Sequence, residues 1–308
     1  NDYLGLAGNL ALREAFFDQL PNDKRYLSAS SSRLLTGNYP AFEQLEAEMS
    51  QAFRRSVLLF NSGYHMNIGI LPALSDSKTL ILADKLVHAS IIDGIRLSSA
   101  KYLRYRHNDL VQLKQFLAKY QEDQTIERII VVTESIFSMD GDETDLKALV
   151  ALKAQHPKVL LYVDEAHAIG VRGERGLGCA EQYDVLDQID FLVGTFGKAL
   201  ASVGGYIVCH EGIRNYLINF MRSLIFSTAQ PPISAAWTQF VFQHMQSLSV
   251  ERAHLARLSH DTRQNVQALG LDCPSTSQIV PVILGEAKRA NTVAEMLQNQ
   301  GYYVLPVR

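Results

Sequence analysis

The chain has 308 residues, of which 47% are hydrophobic and 20% charged, so it contains enough apolar material for a substantial core. Its 29 basic and 32 acidic residues give a formal charge of -3, which argues against a nucleic-acid or anionic-membrane partner. The longest apolar runs are far shorter than the roughly 20 residues that span a bilayer. The three cysteines, Cys179, Cys209 and Cys273, have neither metal-ligand nor disulfide spacing, and they favour a reducing, cytoplasmic location.

Short apolar runs of strand length alternate with helical patterns along most of the chain. The first clear helix is predicted after Pro40, because Phe42, Leu45, Met49 and Phe53 recur at helical spacing. Further helices are predicted directly after residue 64 and over residues 90–97, 110–120 and 145–154. Strands are predicted over residues 57–60, 79–82, 102–105, 129–133, 159–163 and 191–193. This alternation predicts an α/β fold with a mostly parallel central sheet and helices on both faces.

The pattern changes from about Pro231 onward. Long helical stretches are followed by a strand-like run over residues 279–284, another helix and a strand-like run over residues 302–306. We therefore predict an N-terminal segment over residues 1–35, a large domain over residues 36–240 and a smaller C-terminal domain over residues 241–308. We also expect both ends to be incomplete, because the chain starts without Met and stops just after a strand-like run.

Polar residues that directly follow the strands are the candidates for chemistry, because ligands bind at the carboxyl ends of strands in such sheets. The turn after residues 57–60 contains Gly63 and Tyr64 and opens a helix. Its backbone N–H groups could hold a phosphate, although most turns of this kind only begin a helix. After residues 129–133, polar side chains between Glu134 and Ser138 could contact a ligand or cap the next segment.

Two further strand ends carry titratable groups. Asp164 follows the strand over residues 159–163, and His167 comes three residues later. They lack enough neighbouring ligands for a metal site, but an Asp here could keep a ring nitrogen protonated, and a simple Asp cap is an equal alternative. Lys198 follows residues 191–193 at the end of a turn flanked by Gly194 and Gly197. A desolvated amine there could form a Schiff base, although most loop lysines are simply solvated.

The four strand ends are more informative together than singly. A cofactor with an aldehyde, a pyridine ring and a phosphate needs an amine, a carboxylate, a donor for its phenolic oxygen and an anion site. Lys198, Asp164, His167 and the turn at Gly63 supply one of each, all after strands of one predicted sheet. The combination predicts a pyridoxal 5'-phosphate (PLP) enzyme in which Lys198 forms the Schiff base.

Eight motifs also give the chain a resemblance to a known family. In chain order they are NDYLGL, SRLLTGN, LFNSGY, HASIIDG, TESIFSMDGD, VDEAHAIGVRGERGLG, GTFGKA and IFSTAQPP. Nearly the whole chain resembles the α-oxoamine synthases, fold-type-I PLP enzymes (aspartate aminotransferase-like) that join an amino acid to an acyl-CoA with loss of carbon dioxide. Within this family, NDYLGL, Glu134, TFGK and the last motif favour the member that uses L-alanine and a pimeloyl thioester, carried by coenzyme A or by a carrier protein.

The resemblance implies a role for each candidate residue. Lys198 would form the Schiff base and transfer the substrate proton, Asp164 would pair with the pyridinium nitrogen, and His167 would donate to the phenolic oxygen. His88 would stack on the ring, with Glu134 and Ser138 supporting the site. The phosphate would be held by Gly63, Tyr64 and Thr195. Thr228 would contact the phosphate bound in the partner subunit. The substrate carboxylate would be bound by Asn1 and Arg308.

The resemblance also implies a homodimer whose active sites are shared between subunits. Three alternatives to the predicted function stay open. Family members that use glycine or serine would share every cofactor residue, so the choice of amino acid discriminates them. A non-catalytic homologue that binds a partner is disfavoured by the intact set of Lys198, Asp164 and His167. A phosphate-binding α/β domain without a cofactor would show no visible absorption.

Overall fold

A computed structural model describes residues 1–307 of the chain. These residues form a central seven-stranded β-sheet flanked by helices. The strands are β1 (Ser56–Phe60), β2 (Thr79–Asp84), β3 (Lys101–Tyr105), β4 (Arg128–Glu134), β5 (Val159–Asp164), β6 (Phe191–Thr195) and β7 (Gly205–Cys209). The six strands predicted from the sequence correspond to β1 to β6, and each is one or two residues longer than predicted.

The strand order across the sheet is β1-β7-β6-β5-β4-β2-β3. β7 is antiparallel to both of its neighbours and every other pair is parallel, so β1 to β6 point the same way. Their carboxyl ends therefore lie along one edge, and the predicted mostly parallel sheet is confirmed. The alternating pattern did not reveal β7, because an antiparallel strand can follow β6 without a crossover helix between them.

The described residues also form twelve α-helices, and α2 begins at Pro40 as predicted. The helices are α1 (Leu10–Gln19), α2 (Pro40–Phe53), α3 (Gly63–Leu74), α4 (Ala89–Leu97), α5 (Leu110–Gln121), α6 (Leu146–Lys153), α7 (Cys179–Gln182), α8 (Glu211–Phe220), α9 (Arg222–Ile225), α10 (Pro232–Gln246), α11 (Ser249–Ala268) and α12 (Ala287–Asn299). No helix among the described residues is both long and apolar enough to cross a lipid bilayer.

Apolar side chains are packed on both faces of the sheet. Successive residues of a strand point to opposite faces, and in β2 the side chains of Leu80 and Leu82 join one core while Ile81 and Ala83 join the other. β2 is buried along its whole length. Burial on both faces explains why these strands are continuous apolar runs rather than alternating patterns.

The two strands predicted near the C-terminus are wrong. In the described part of the chain, residues 279–284 and 302–306 form no strand, and the first has only an isolated bridge between Asp272 and Ile283. A strand is stabilised by hydrogen bonds to a neighbouring strand, and neither segment has such a neighbour among the described residues. The division into residues 1–35, 36–240 and 241–308 stays a prediction.

Close packing between α3 and α4 fixes the two segments that follow β1 and β2. α3 begins at Gly63, and α4 begins directly after His88. Gly94 of α4 lies against the backbone of α3, where a Cβ atom would be 2.3 Å from the carbonyl oxygen of Asn67. Glycine is required at this position because the two helix backbones leave no room for a side chain.

Gly94→Ala is expected to lower the free energy of unfolding by about 1–3 kcal/mol, because the added methyl group forces α3 and α4 apart. Urea unfolding measures the change. Gly8→Ala is the matched control, since a Cβ atom at Gly8 meets nothing within 4 Å. Equal stability of the two variants would contradict the tight contact between these helices.

Candidate active site

The carboxyl ends of β4, β5 and β6 lie side by side and bring three of the predicted residues together. Glu134, the last residue of β4, pairs in register with Asp164, the last residue of β5. Asp164 in turn pairs with Val193 of β6, and Lys198 lies in the turn directly after that strand. The parallel sheet thus places two carboxylates and an amine at one edge.

Lys198 is partly buried in this turn, and its amine points at an imidazole. The Nζ atom lies 2.8 Å from Nε2 of His167. Burial lowers the pKa of Lys198, while the negative charges of Asp164 and Glu134 oppose that change. An amine with a lowered pKa is a better nucleophile and base near neutral pH than an ordinary surface lysine.

His167 is buried between Lys198 and Tyr3. Its Nδ1 atom lies 2.7 Å from the hydroxyl of Tyr3. Burial, reinforced by the charge of Lys198, lowers the pKa of His167 to about 3. Burial also raises the pKa of Tyr3 to about 12. Both groups are therefore neutral near pH 7, and each can exchange hydrogen bonds without gaining or losing a proton.

Asp164 is buried, and its two oxygens accept hydrogen bonds from different elements. Oδ1 accepts from the backbone N–H of Ala166 at 2.9 Å, and Oδ2 accepts from the side-chain amide of Asn67 in α3 at 3.2 Å. Hydrogen bonds of this kind stabilise the ionised carboxylate. These two hydrogen bonds hold the carboxyl group of Asp164 in one orientation at the centre of the edge.

Glu134 holds the segment that carries His88. Its Oε1 atom accepts the backbone N–H of His88 at 2.5 Å, and His88 caps the N-terminus of α4. Burial and the neighbouring charge of Asp164 raise the pKa of Glu134 well above its usual range. Ser138 is partly buried in the turn that follows β4. Glu134 therefore supports the site through the backbone of His88.

The first turn of α3 forms the candidate anion site. The hydroxyl of Ser62 accepts a hydrogen bond from the backbone N–H of His65. The backbone N–H groups of Gly63 and Tyr64 have no acceptor within residues 1–307. A Cβ atom at Gly63 would lie 3.4 Å from Cβ of Thr195, so glycine keeps the space between the helix and Thr195 open. The Thr195 hydroxyl donates to the carbonyl of Gly204 at 2.8 Å. Free N–H groups at a helix N-terminus favour a negative ligand.

The remaining predicted residues lie around this edge. The Tyr64 hydroxyl donates to Asp93 at 2.7 Å and faces solvent. Thr228 is exposed, and its carbonyl accepts from Asn61 at 2.6 Å, next to the anion site. Asn1 is exposed and accepts from the Tyr3 hydroxyl at 3.3 Å. Arg308 lies outside the described residues, so its predicted contact stays a prediction.

Three site residues were missed as individuals. Tyr3 lies within the NDYLGL motif, of which only Asn1 was predicted to contact a ligand. Asn67 lies four residues after Gly63 on α3, and that spacing could have placed it on the same helix face. Ser90, two residues after His88, bonds to both His88 and Asn67, and no signal in the sequence distinguished it from an ordinary helix residue.

A histidine between two carboxylates ties the turn that contains Ser138 to the sheet. Nδ1 of His107 lies 2.9 Å from Oδ1 of Asp84, and Nε2 lies 2.8 Å from Oδ2 of Asp142. Burial by itself lowers the pKa of His107, but the hydrogen bonds and charges of Asp142 and Asp84 outweigh it and raise the pKa to about 10. The imidazole is therefore charged at neutral pH and donates from both nitrogens.

Comparisons with known proteins identify the family to which the chain belongs. The family model for class I and II aminotransferases matches residues 1–308. A protein of Pasteurella multocida (strain Pm70), provisionally named 8-amino-7-oxononanoate synthase, is 61% identical to this chain over 310 residues. The match covers 100% of this chain and 80% of the length of that protein. One from Haemophilus influenzae (strain KW20 / Rd) with the same provisional name is 57% identical over 309 residues, covering 100% and 81%. The chain belongs to the α-oxoamine synthases.

Solved structures of α-oxoamine synthases have the same fold. Serine palmitoyltransferase of S. paucimobilis, in a structure with bound PLP, matches with a TM-score of 0.90 at 27% identity, over 99% of this chain and 78% of that chain. The 8-amino-7-oxononanoate synthase of Francisella tularensis matches with a TM-score of 0.84 at 29% identity. This match covers 99% of this chain and 85% of that chain. The fold is that of a fold-type-I PLP-dependent transferase, as the resemblance implied.

PLP is the cofactor of this α-oxoamine synthase, and the edge of the sheet fits it. The desolvated amine of Lys198 suits an aldehyde, and the buried charge of Asp164 suits a protonated ring nitrogen. The N–H groups of Gly63 and Tyr64 in the first turn of α3 have no acceptor within residues 1–307 and suit a phosphate. The aldehyde, the ring nitrogen and the phosphate of the cofactor each have a chemically matched group at this edge.

The His107 cluster predicts a pH dependence of stability. The pKa is about 10 in the folded chain, above the ordinary value of 6.5, so its stabilisation is full below pH 6.5 and is lost as pH rises through about 10. Urea unfolding of the wild type and His107→Gln across this range measures it. The stability difference should be largest near pH 6 and smallest above about pH 10. A pH-independent difference would contradict a charged His107.

Proposed function

We propose that this chain joins L-alanine to a pimeloyl thioester of coenzyme A or of a carrier protein, releasing carbon dioxide and 8-amino-7-oxononanoate for biotin biosynthesis. Relatives that are 55–61% identical carry the provisional name of that synthase. The observation that carries the chemistry is the desolvated amine of Lys198, 2.8 Å from His167 and beside Asp164. The reducing interior of a cell, which the three free buried cysteines favour, is the proposed location.

PLP, when bound, supplies an electron-withdrawing ring that stabilises negative charge on the α-carbon of the amino acid. In our proposal, Lys198 holds the cofactor through Nζ and, once released by the amino acid, takes the α-proton on that same atom. Asp164 keeps the ring nitrogen protonated through its negative charge. His167, which is neutral at pH 7, would donate to the phenolic oxygen, and His88 would stack on the ring.

The remaining contacts complete the proposed site. The N–H groups of Gly63 and Tyr64, together with Thr195, would hold the phosphate. Glu134 and Ser138 support the cofactor from the end of β4. Asn1 and Arg308 bind the carboxylate of the substrate.

A homodimer with shared active sites is part of the proposal. Thr228 would reach the phosphate site of the partner subunit. The side chain of Thr228 is exposed. Leu35 of the SRLLTGN motif and Phe226 of the IFSTAQPP motif are 75% and 72% exposed. Exposed apolar side chains of this size favour an interface between protein subunits.

A serine-using activity is the second candidate, because serine palmitoyltransferases match the fold with TM-scores of 0.90 and 0.91. Their identity of 27–28% is far below the 61% of the first relative, which favours alanine. The test incubates the PLP-loaded protein with L-alanine, glycine or L-serine and with pimeloyl-CoA, pimeloyl carrier protein or palmitoyl-CoA. Product from alanine and a pimeloyl thioester supports the proposal, and product only from another pair contradicts it.

Lys198→Ala is expected to lower kcat at least about 1000-fold, because the general base and the covalent anchor are both lost. Product formation measured by mass spectrometry gives the rate. Lys114→Ala, at an exposed position on α5, is the matched control and should leave kcat unchanged. Substantial activity in Lys198→Ala would refute the assignment of this residue.

Asp164→Asn is expected to keep PLP bound but to lower kcat by roughly 100-fold, or about 2.7 kcal/mol in the barrier. The neutral amide no longer favours the protonated form of the ring nitrogen. The visible spectrum reports bound cofactor, and product formation reports the rate. Asp18→Asn, on the exposed surface of α1, is the control. A near-normal rate in Asp164→Asn would mean that another group sets the charge of the ring.

A further inference from the structure

Asn67 is a buried amide that connects three elements of the site. It is 2% exposed and lies on α3. Its side chain exchanges hydrogen bonds with Asp164 at the end of β5, with Ser90 of α4 and with Tyr162 of β5, at 3.2, 2.9 and 2.5 Å. A buried amide with so many partners is held in one orientation.

The chemistry of its partners fixes that orientation. An ionised carboxylate can only accept, so the amide nitrogen of Asn67 must face Asp164. The same nitrogen donates its second proton to the Ser90 hydroxyl, and the amide oxygen accepts from the hydroxyl of Tyr162. Rotating the amide by 180° would place its oxygen against the carboxylate and lose these bonds.

The network continues from Ser90 to His88. Nδ1 of His88 accepts the backbone N–H of Ser90 at 3.2 Å, so this nitrogen carries no proton. The Ser90 hydroxyl, which accepts from Asn67, lies 2.7 Å from the same nitrogen and donates to it. The ring proton of His88 therefore resides on Nε2, and Asn67 is linked to the orientation of this imidazole.

We propose that Asn67 is a positioning residue that holds Asp164 and His88 in a fixed relation to each other at the cofactor site. The roles of Asp164 and His88 rest on the proposed function. One amide donates to the carboxylate directly and to the imidazole through Ser90, so a change at Asn67 alters both partners of the ring together. A purely structural amide would affect stability without affecting the cofactor.

The experiment compares the wild type with Asn67→Ala and Asn67→Asp. Three quantities are measured: the melting temperature of the PLP-free protein, the pH dependence of the visible absorption after PLP is added, and the exchange of the α-hydrogen of L-alanine in deuterium oxide without thioester. Thr79→Val is the matched control, because Thr79 is fully buried and hydrogen-bonded to Asp76 at the amino end of β2, away from the site.

Asn67→Ala is expected to slow the exchange roughly 10- to 100-fold, the effect of losing a hydrogen bond to a charged group, and to shift the pH dependence of the absorption. Thr79→Val should lower the melting temperature and leave both cofactor measurements as in the wild type. A folded Asn67→Ala protein with wild-type exchange and absorption would overturn the proposal.

Asn67→Asp keeps the shape and places a second carboxylate beside Asp164, where both cannot readily ionise at once. A new pH transition in the cofactor absorption is expected. Glu134, His167 and Lys198 also titrate near Asp164, so the comparison is with the wild-type curve. A curve that matches the wild type would overturn the proposal.

Ser90→Ala removes one hydroxyl and provides the test if neither Asn67 variant folds. It breaks the link to His88, so slower exchange is expected, and wild-type exchange would overturn the proposal. The outcome for the proposed function is separate. If the wild type makes no product from alanine and a pimeloyl thioester, the pH dependence of the PLP absorption still decides the role of Asn67.

Discussion

Removal of water from the amine of Lys198 is the constraint on which the rest of the site depends. A buried ammonium group is costly, so burial lowers the pKa of this lysine and makes its amine available for chemistry. The loss of hydration by this amine has to be compensated by neighbouring groups. The negative charge of Asp164, at the end of β5, opposes this change in the pKa of Lys198, and neutral His167 provides a hydrogen-bond partner.

Removing water from a buried carboxylate also costs free energy, because the charged form loses its hydration. The fold offsets this cost with donors that come from neighbouring segments rather than from water. Asp164 accepts from the backbone after β5 and from Asn67 of α3, and Glu134 accepts from the backbone that precedes α4. Each charge is therefore stabilised by the element next to it, and the close packing of α3 against α4 at Gly94 keeps these donors in place.

Much of the fold could be predicted because burial on both faces of a parallel sheet leaves continuous apolar runs. β1, β2, β4, β5 and β6 were found in this way, whereas β3 is mostly exposed. Asp164 and Lys198 stood out because each follows one of these apolar runs. β7 was missed because it returns antiparallel with no helix before it. Residues 279–284 and 302–306 have the composition of strands, but composition cannot supply the neighbouring strand that hydrogen bonding requires.

The sequence by itself determined the alternation of strands and helices, the edge of the sheet where the candidate site lies, and the amine, carboxylate and imidazole that are predicted to form it. These follow from local periodicity and from residue types at strand ends. Only the tertiary structure decided that Tyr3 contacts His167 and that Asn67 joins Asp164 to Ser90. Tyr3 is separated from His167 by 164 positions and Asn67 from Asp164 by 97. Such contacts depend on how distant segments pack, which no local pattern encodes.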